Sequence, residues 1–259
     1  MQIIRKKTRG WDKDFGMKHI LQKINSSLKL FTISDSKYAF TLAEVLITLA
    51  IIGVVAAMTL PTVINNTKRK EYSTGLKKAY STLEQVLQLM AYDEGQPITP
   101  SNYAAHKFVP VFIKYIPSKK SCTDWCLIDR NGEFDDEGNL LGLDFGDYKT
   151  YNKKNTIAGH LMDNGQLQLR DGMTIYIENE GPTYISVDIN GMYKKPNLWG
   201  HDLFTFQLMP SGKILPMGAT GTDYNATNYC SATSTSKLNG IACTNKALTE
   251  KDYFKNLPR

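Results

Sequence analysis

Histidine and cysteine are scarce in this chain, with four of each in 259 residues. His19, His106, His160 and His201 are scattered, and none stands in a His-x-x-x-His or His-Glu-x-x-His spacing, which excludes a helix-borne zinc protease site. There is no Gly-x-Ser-x-Gly elbow and no phosphate-binding Gly-Lys-Ser/Thr loop, so the two commonest hydrolase and nucleotide signatures are absent as well. His201, beside Asp202, reads as a surface histidine rather than a base. Without a catalytic constellation the chain is expected not to be an enzyme. Internal repeats are lacking too. The most consequential absence is of charge, because between residues 40 and 60 the only ionised side chain is Glu44.

A bilayer's hydrocarbon core takes about 20 residues of helix, so residues 40–60 are long enough to span it. A carboxylate inside such a helix costs about 3 kcal/mol unless something compensates. Ahead of the run, Arg5, Lys6, Lys7, Arg9, Lys13, Lys18, Lys23, Lys29 and Lys37 face only Asp12, Asp14 and Asp35, an excess of +6 that equals the formal charge of the whole chain. From Phe40 onward the chain is formally neutral. A basic leader is held on the cytoplasmic side, which places everything after residue 60 across the membrane. The pI of about 8.9 therefore reports topology, and nucleic-acid binding is not needed to explain it. An ordinary secretory signal is cut after its apolar stretch, whereas here the small-residue site, Tyr38-Ala39, precedes it. Cleavage there leaves the apolar helix on the mature protein.

The run Ala39-Phe40-Thr41-Leu42-Ala43-Glu44 and its apolar continuation to Ala57, with Pro61 near its end, closely resembles the signal of type IV pilins and type II secretion pseudopilins. The resemblance implies cleavage by a prepilin peptidase between Ala39 and Phe40, N-methylation of Phe40, and packing into a helical filament. The family usually carries Gly before the cut and this chain carries Ala39; the leader is long for the family, and Met17 is an alternative start. In a filament of stacked apolar helices, the Glu44 carboxylate of one subunit can pair with the Phe40 amine of its neighbour. Such a pair sets register, because any other stagger leaves two charges unpaired in hydrocarbon. The competing reading places Glu44 at headgroup level near the helix start.

Downstream, Tyr72, Leu76, Ala79, Tyr80, Leu83, Val86, Leu87 and Met90 recur at helical spacing, opposite Lys68, Arg69, Lys70, Glu71, Lys77, Lys78, Glu84 and Gln85. This predicts one helix from 40 to about 93, free to bend at Gly53 or Pro61. The expected organisation is a cleaved basic leader (1–39), a transmembrane and assembly half-helix (40–63), an amphipathic spine (64–95) and a globular head (96–259). Strands are predicted at 167–170, 173–178, 183–189, 203–208 and 213–215, between the turn signals Asp171-Gly172, Glu180-Gly181-Pro182 and Ser211-Gly212. They read as an antiparallel meander of three to five strands with one face on the spine. Residues 96–166 are expected to be connecting structure, with a short helix near 103–115 and irregular loops. The fold class is thus α+β: a long N-terminal helix, transmembrane in its first half, packed on a small antiparallel sheet.

Cys122 and Cys126, and Cys230 and Cys243, form two local pairs beyond the span. An even count in an oxidising compartment argues for disulfides, although four cysteines allow three connectivities. A zinc site is the rival, but the second pair is too widely spaced for a knuckle. The Cys230 to Cys243 stretch also looks like the disulfide-bounded C-terminal loop of many pilins. Asp188-Ile189-Asn190-Gly191, followed by Lys195-Pro196-Asn197, Gly200 and Asp202, resembles a segment that recurs in pseudopilin-like proteins, and major pseudopilins bind calcium in a C-terminal loop. That resemblance implies Asp188, Asn190 and Asp202 as oxygen ligands for Ca²⁺; the competing reading is an Asn-Gly turn. The acidic stretch from Asp129 to Glu137 is a second, weaker candidate. No other cofactor is expected.

The resulting expectation is a structural subunit, pseudopilin or pilin-like, of a type II secretion or type IV pilus filament. Its partners would be other pilins, the prepilin peptidase and an inner-membrane assembly platform. It would sit in the inner membrane as a single-pass protein with its head outside the cytoplasm, then enter a periplasmic or extracellular filament. The alternative is a minor tip pilin or adhesin whose head loops, at 118–151 and 220–246, bind an extracellular ligand or DNA.

Overall fold

The computed structural model describes residues 41–123, 129–134, 140–142 and 147–258. The chain divides into two units, Met1–Met58 and Thr59–Arg259. What is described of the first is the opening of helix α1 (Leu42–Glu94). Thr41 stands just before it, and the Glu44 carboxylate accepts hydrogen bonds from the Thr41 amide and hydroxyl, each at 2.8 Å. The Glu44 amide donates back to Thr41 Oγ1 at 3.2 Å. This reciprocal capping box satisfies helix-end donors that have no partner within the helix. Beyond it the apolar side chains are bare: Leu42 is 76% exposed, Ile52 63% and Met58 74%. An 18-residue window of α1 has a mean hydropathy of 2.3, and none of it is buried.

In the second unit α1 continues through Pro61, which supplies no amide to the helix ladder. Leu60, Val63 and Ile64 remain exposed, and the helix then turns amphipathic. Leu76, Ala79, Leu83, Val86, Leu87 and Met90 are buried, which is the spine stripe expected from the periodicity. Helix α2 (Phe108–Phe112) is the short element expected within 103–115.

The main sheet is antiparallel in the order β1-β4-β5-β6-β7-β8. Its strands are β1 (Ser118–Thr123), β4 (Gly165–Leu169), β5 (Thr174–Asn179), β6 (Thr183–Asp188), β7 (Leu203–Leu208) and β8 (Ile214–Pro216). β2 (Asp129–Phe134) and β3 (Leu140–Gly142) form a separate two-stranded ribbon. The meander β4 to β8 falls where alternation and turn residues place it. β1 corrects the expectation of irregular structure before residue 166. Its sequence, Ser-Lys-Lys-Ser-Cys-Thr, lacks β-formers in alternation because it is an edge strand with mostly exposed side chains, and lysines there discourage pairing with other chains.

Alternation along the strands sorts two cores. Ile175 and Ile177, Ile185 and Val187, and Phe204, Phe206 and Leu208 join the spine residues of α1 in one cluster. Each fully buried side chain of this size contributes about 1.5–3 kcal/mol. Tyr176, Tyr184 and Leu203, on intervening positions, join Tyr148, Trp199, Met217 and Ile241 from the loops in a second cluster. Trp199 Nε1 donates to Thr205 Oγ1 at 3.0 Å, so its one polar atom is satisfied inside the core. The sheet is therefore covered on both faces, by helix on one and by irregular chain on the other.

Helices α3 (Ala226–Tyr229) and α4 (Thr244–Thr249) frame the C-terminal region. There Cys230 and Cys243, 13 residues apart, form a disulfide, which removes both thiols from any zinc site. Cys122, on β1, is also disulfide-bonded, while Cys126 lies outside the described residues. Closing a loop of this length is worth about 3 kcal/mol in the chain-entropy account. Cys243→Ser is accordingly expected to lower the unfolding free energy by about that much, read as a fall in the thermal midpoint; an unchanged midpoint would show that the loop is held by its packing alone.

Candidate assembly site and cation loop

Ala39 and Phe40, the expected cleavage and methylation residues, lie outside the described residues. The described chain resumes at Thr41, and the helix is already capped there, so the backbone next to Phe40 leads directly into α1. Thr41-Leu42-Ala43-Glu44 is a Thr-x-x-Glu signature, so the local use of Glu44 could have been found in the sequence. Only Oε2 of the carboxylate is engaged by Thr41, and a carboxylate has two oxygens with about four acceptor positions. Capping thus leaves Glu44 able to accept a further donor. Pro61 lies within the helix, where the exposed apolar surface is ending.

The second candidate is the connection between β6 and β7. The Ile189 amide donates to the Asp202 carbonyl at 2.9 Å and closes the base of this loop. Both acids that flank it are fully buried. Asp188 Oδ1 accepts from the Asn190 amide at 3.2 Å and the Gly191 amide at 2.8 Å, an arrangement that makes the turn. Its Oδ2 accepts from the Tyr148 hydroxyl at 2.5 Å, and Tyr148 is in turn 3.1 Å from the Tyr176 hydroxyl. Asp202 accepts from the Leu198 amide at 2.7 Å and the Asn197 amide at 2.9 Å.

Two glycine and asparagine positions make this geometry possible. Gly191 has φ +88°, and a Cβ there would stand 2.1 Å from the Gly172 carbonyl oxygen, so the loop lies against the β4–β5 turn only because Gly191 has no side chain. Asn197 also adopts positive φ, at 54°, and its Nδ2 donates to the Met192 carbonyl at 3.0 Å. Asn190 Nδ2 faces the Lys194 and Lys195 carbonyls at 3.2 and 3.4 Å. With both amide nitrogens directed at carbonyls, Asn190 Oδ1 and Asn197 Oδ1 are left buried with no hydrogen-bond partner.

The electrostatics of the loop are unbalanced. Among the described residues, no Lys, Arg or His forms an ion pair with Asp188 or Asp202. Burial and the proximity of Asp202 push the Asp188 carboxyl well above the usual carboxylate range, and burial pushes Asp202 up as well. Tyr72 of α1 feels the same field: burial first, then Asp202 and Asp188, raise its hydroxyl to about 12. Two buried carboxylates beside two orphaned amide oxygens are a hard-oxygen donor set of the kind Ca²⁺ selects. Asn197 was not among the ligands expected from the sequence; its Pro-Asn context reads only as a turn.

His201 is a correction. It is buried rather than at the surface, with Nε2 3.0 Å from the Tyr151 carbonyl and its ring 5.4 Å from that of Tyr151. Burial lowers its pKa to about 4, so it is a neutral packing residue. The side chains of Asp129 and Glu133, and residues 135–137 of the second acidic candidate, lie outside the described residues. No cluster of three or more His, Cys, Asp or Glu side chains occurs among the described residues.

These features resemble those of helix-anchored subunits of the pilin type. The model of the prokaryotic N-terminal methylation motif matches residues 35–60, so the chain carries the prepilin-type motif of type IV pilins and pseudopilins. That motif belongs to structural pilin-type subunits and not to an enzyme family. Together with the bare apolar helix it is consistent with membrane anchoring. No curated protein and no solved structure matches the chain.

Proposed function

We propose that this protein is a structural subunit, pseudopilin or pilin-like, of a type II secretion or type IV pilus filament. The carrying observation is the methylation motif at 35–60, whose apolar stretch lies bare on the opening of a helix and holds Glu44 as its one charge between residues 40 and 60. On this reading residues 1–39 are removed by a prepilin peptidase, Phe40 becomes a methylated amino terminus, and residues 40–63 pass from lipid into the filament core. Residues 64–95 form the spine of a head, 96–259, that stays outside the cytoplasm. Other pilin-type subunits, the peptidase and an inner-membrane assembly platform are the partners, and the force for assembly comes from proteins of that platform. The β6–β7 loop of the head holds Ca²⁺ through Asp188, Asp202, Asn190 and Asn197.

The test is N-terminal sequencing of the protein recovered from its native host. The expected sequence begins Phe-Thr-Leu-Ala-Glu, with the first residue heavier by one methyl group. Recovery of the basic extension, or loss of the whole apolar stretch, would overturn the assignment.

A further inference from the structure

We propose that a basic groove beside the C-terminal segment binds the phosphate headgroup of an anionic lipid. The proposal rests on reading residues 40–63 as a membrane anchor. The groove is a cavity of ≈690 Å³ between one face of α1 and the chain following Thr244. Arg69, Lys70 and Lys77 line it from the helix, and Lys251, Lys255 and Glu250 from the opposite wall. Lys255 is held by Asp252 at 2.6 Å. Among the described residues Arg69, Lys70, Lys77 and Lys251 have no carboxylate within ion-pair distance, so the groove sets four unpaired cations against one lining carboxylate, Glu250.

Its position along the helix selects the occupant. Leu60, Val63 and Ile64, 54%, 59% and 49% exposed, close the continuous bare apolar run of α1. Arg69 and Lys70 follow Ile64 by five and six residues, about 8–9 Å at 1.5 Å per residue. The headgroup layer flanking a bilayer's hydrocarbon is about 5–7 Å deep, so these two side chains extend from backbone at its outer edge and reach back to phosphate depth. A phosphodiester oxygen pair suits a guanidinium fork and an adjacent ammonium. A free anion or an acidic face of a second copy could satisfy the charge, but neither explains why it gathers immediately above the apolar stretch.

The experiment uses the full chain, purified in detergent and offered equal amounts of phosphatidylglycerol and phosphatidylcholine, with retained lipid counted by native mass spectrometry. Each basic side chain near an anionic surface is worth about a fivefold preference. The native chain should therefore retain phosphatidylglycerol at least fivefold over phosphatidylcholine, and the variant Arg69→Gln/Lys70→Gln/Lys251→Gln, with an unchanged unfolding midpoint, should lose most of that preference. Equal retention by the native chain, or an undiminished preference in the variant, would overturn the proposal. So would loss of the bound lipid to millimolar inorganic phosphate, which marks a free-anion site, or a groove-dependent dimer with no lipid preference. Alkaline extraction of membranes tests the anchor separately: release of the chain into the supernatant would remove the anchor reading and the headgroup proposal with it, whereas retention without lipid preference sinks the headgroup proposal alone.

Discussion

Filaments should disappear when Glu44 is replaced by alanine, while cleavage after Ala39 and membrane retention persist. The structure gives Glu44 one local task, the capping box with Thr41, and loss of a cap costs only about 1 kcal/mol. Such a cost could not abolish assembly. Pairing with the amino terminus of a neighbouring subunit is a different matter, because an unpaired charge in hydrocarbon costs about 3 kcal/mol, which is about a hundredfold in an association constant. Glu44→Gln separates the two roles. Glutamine still closes a capping box but carries no charge, so it should assemble as poorly as alanine. The measurement is filament yield after shearing, with the processed mass as control. Normal yield from either variant would count against the charge pair, and rescue by glutamine alone would reduce Glu44 to a cap. In the companion experiment, Ala39→Glu should leave a heavier membrane-bound precursor and no filament.

Calcium should raise the thermal midpoint of the full chain at pH 8 and have little effect at pH 5. At a free concentration a hundred times its dissociation constant, a cation that binds only the folded state adds about 2.7 kcal/mol, or roughly 5–10 °C for a chain of this size. The pH dependence follows from the buried pair. Asp188 and Asp202 hold protons more tightly folded than unfolded, because burial and their mutual repulsion disfavour two charges. Without calcium, the pair's contribution to stability is therefore fully present below the unfolded carboxylate pKa, about 3.9, and is lost as pH rises through the raised folded values. The hydroxyls of Tyr72, Tyr148 and Tyr176, raised by burial and further by the charge of the pair, stay neutral across this range. Calcium competes with those protons, so its stabilisation grows over the same window. Asp188→Asn and Asp202→Asn should each abolish the calcium increment. Glu178 provides a control, since burial and its shared hydrogen bond with Asp163 raise it to about 8. Glu178→Gln should make the calcium-free pH profile less steep between about 4.5 and 8 while leaving the calcium increment intact. If calcium leaves the midpoint unmoved at pH 8, the loop is a turn built on two acids and no cation site.

Where a side chain acts through its neighbours in the chain, the sequence is informative. The Thr41-x-x-Glu44 cap, the spine stripe from Leu76 to Met90, the turns at Gly172, Gly181 and Gly212 and the five strands of the meander all follow from period, capping and turn chemistry. β1 did not, because an edge strand buries so little that polar residues serve as well as β-formers. The second core was hidden for a related reason. Its members, Tyr148, Trp199, Met217 and Ile241, lie far apart in loops with no period, and they meet only because the β5, β6 and β7 positions opposite them are apolar or hydrogen-bonded.

The same division separates the two functional candidates. A charge alone in an apolar helix is visible one residue at a time, so the assembly motif and Glu44 could be read without a structure. The β6–β7 loop could be read only as Asp, Asn and Gly in a turn. That its acids are buried, that Asn190 and Asn197 turn their nitrogens to carbonyls and leave their oxygens unmatched, and that His201 packs inside rather than facing water depends on chain from Tyr148 to Gly172 closing over them. The linear order of residues determined the helix, its lone acid and the strands it leads to. Folding decided which polar atoms lose water, because desolvation is set by everything that packs around an atom and not by the residues beside it in the chain.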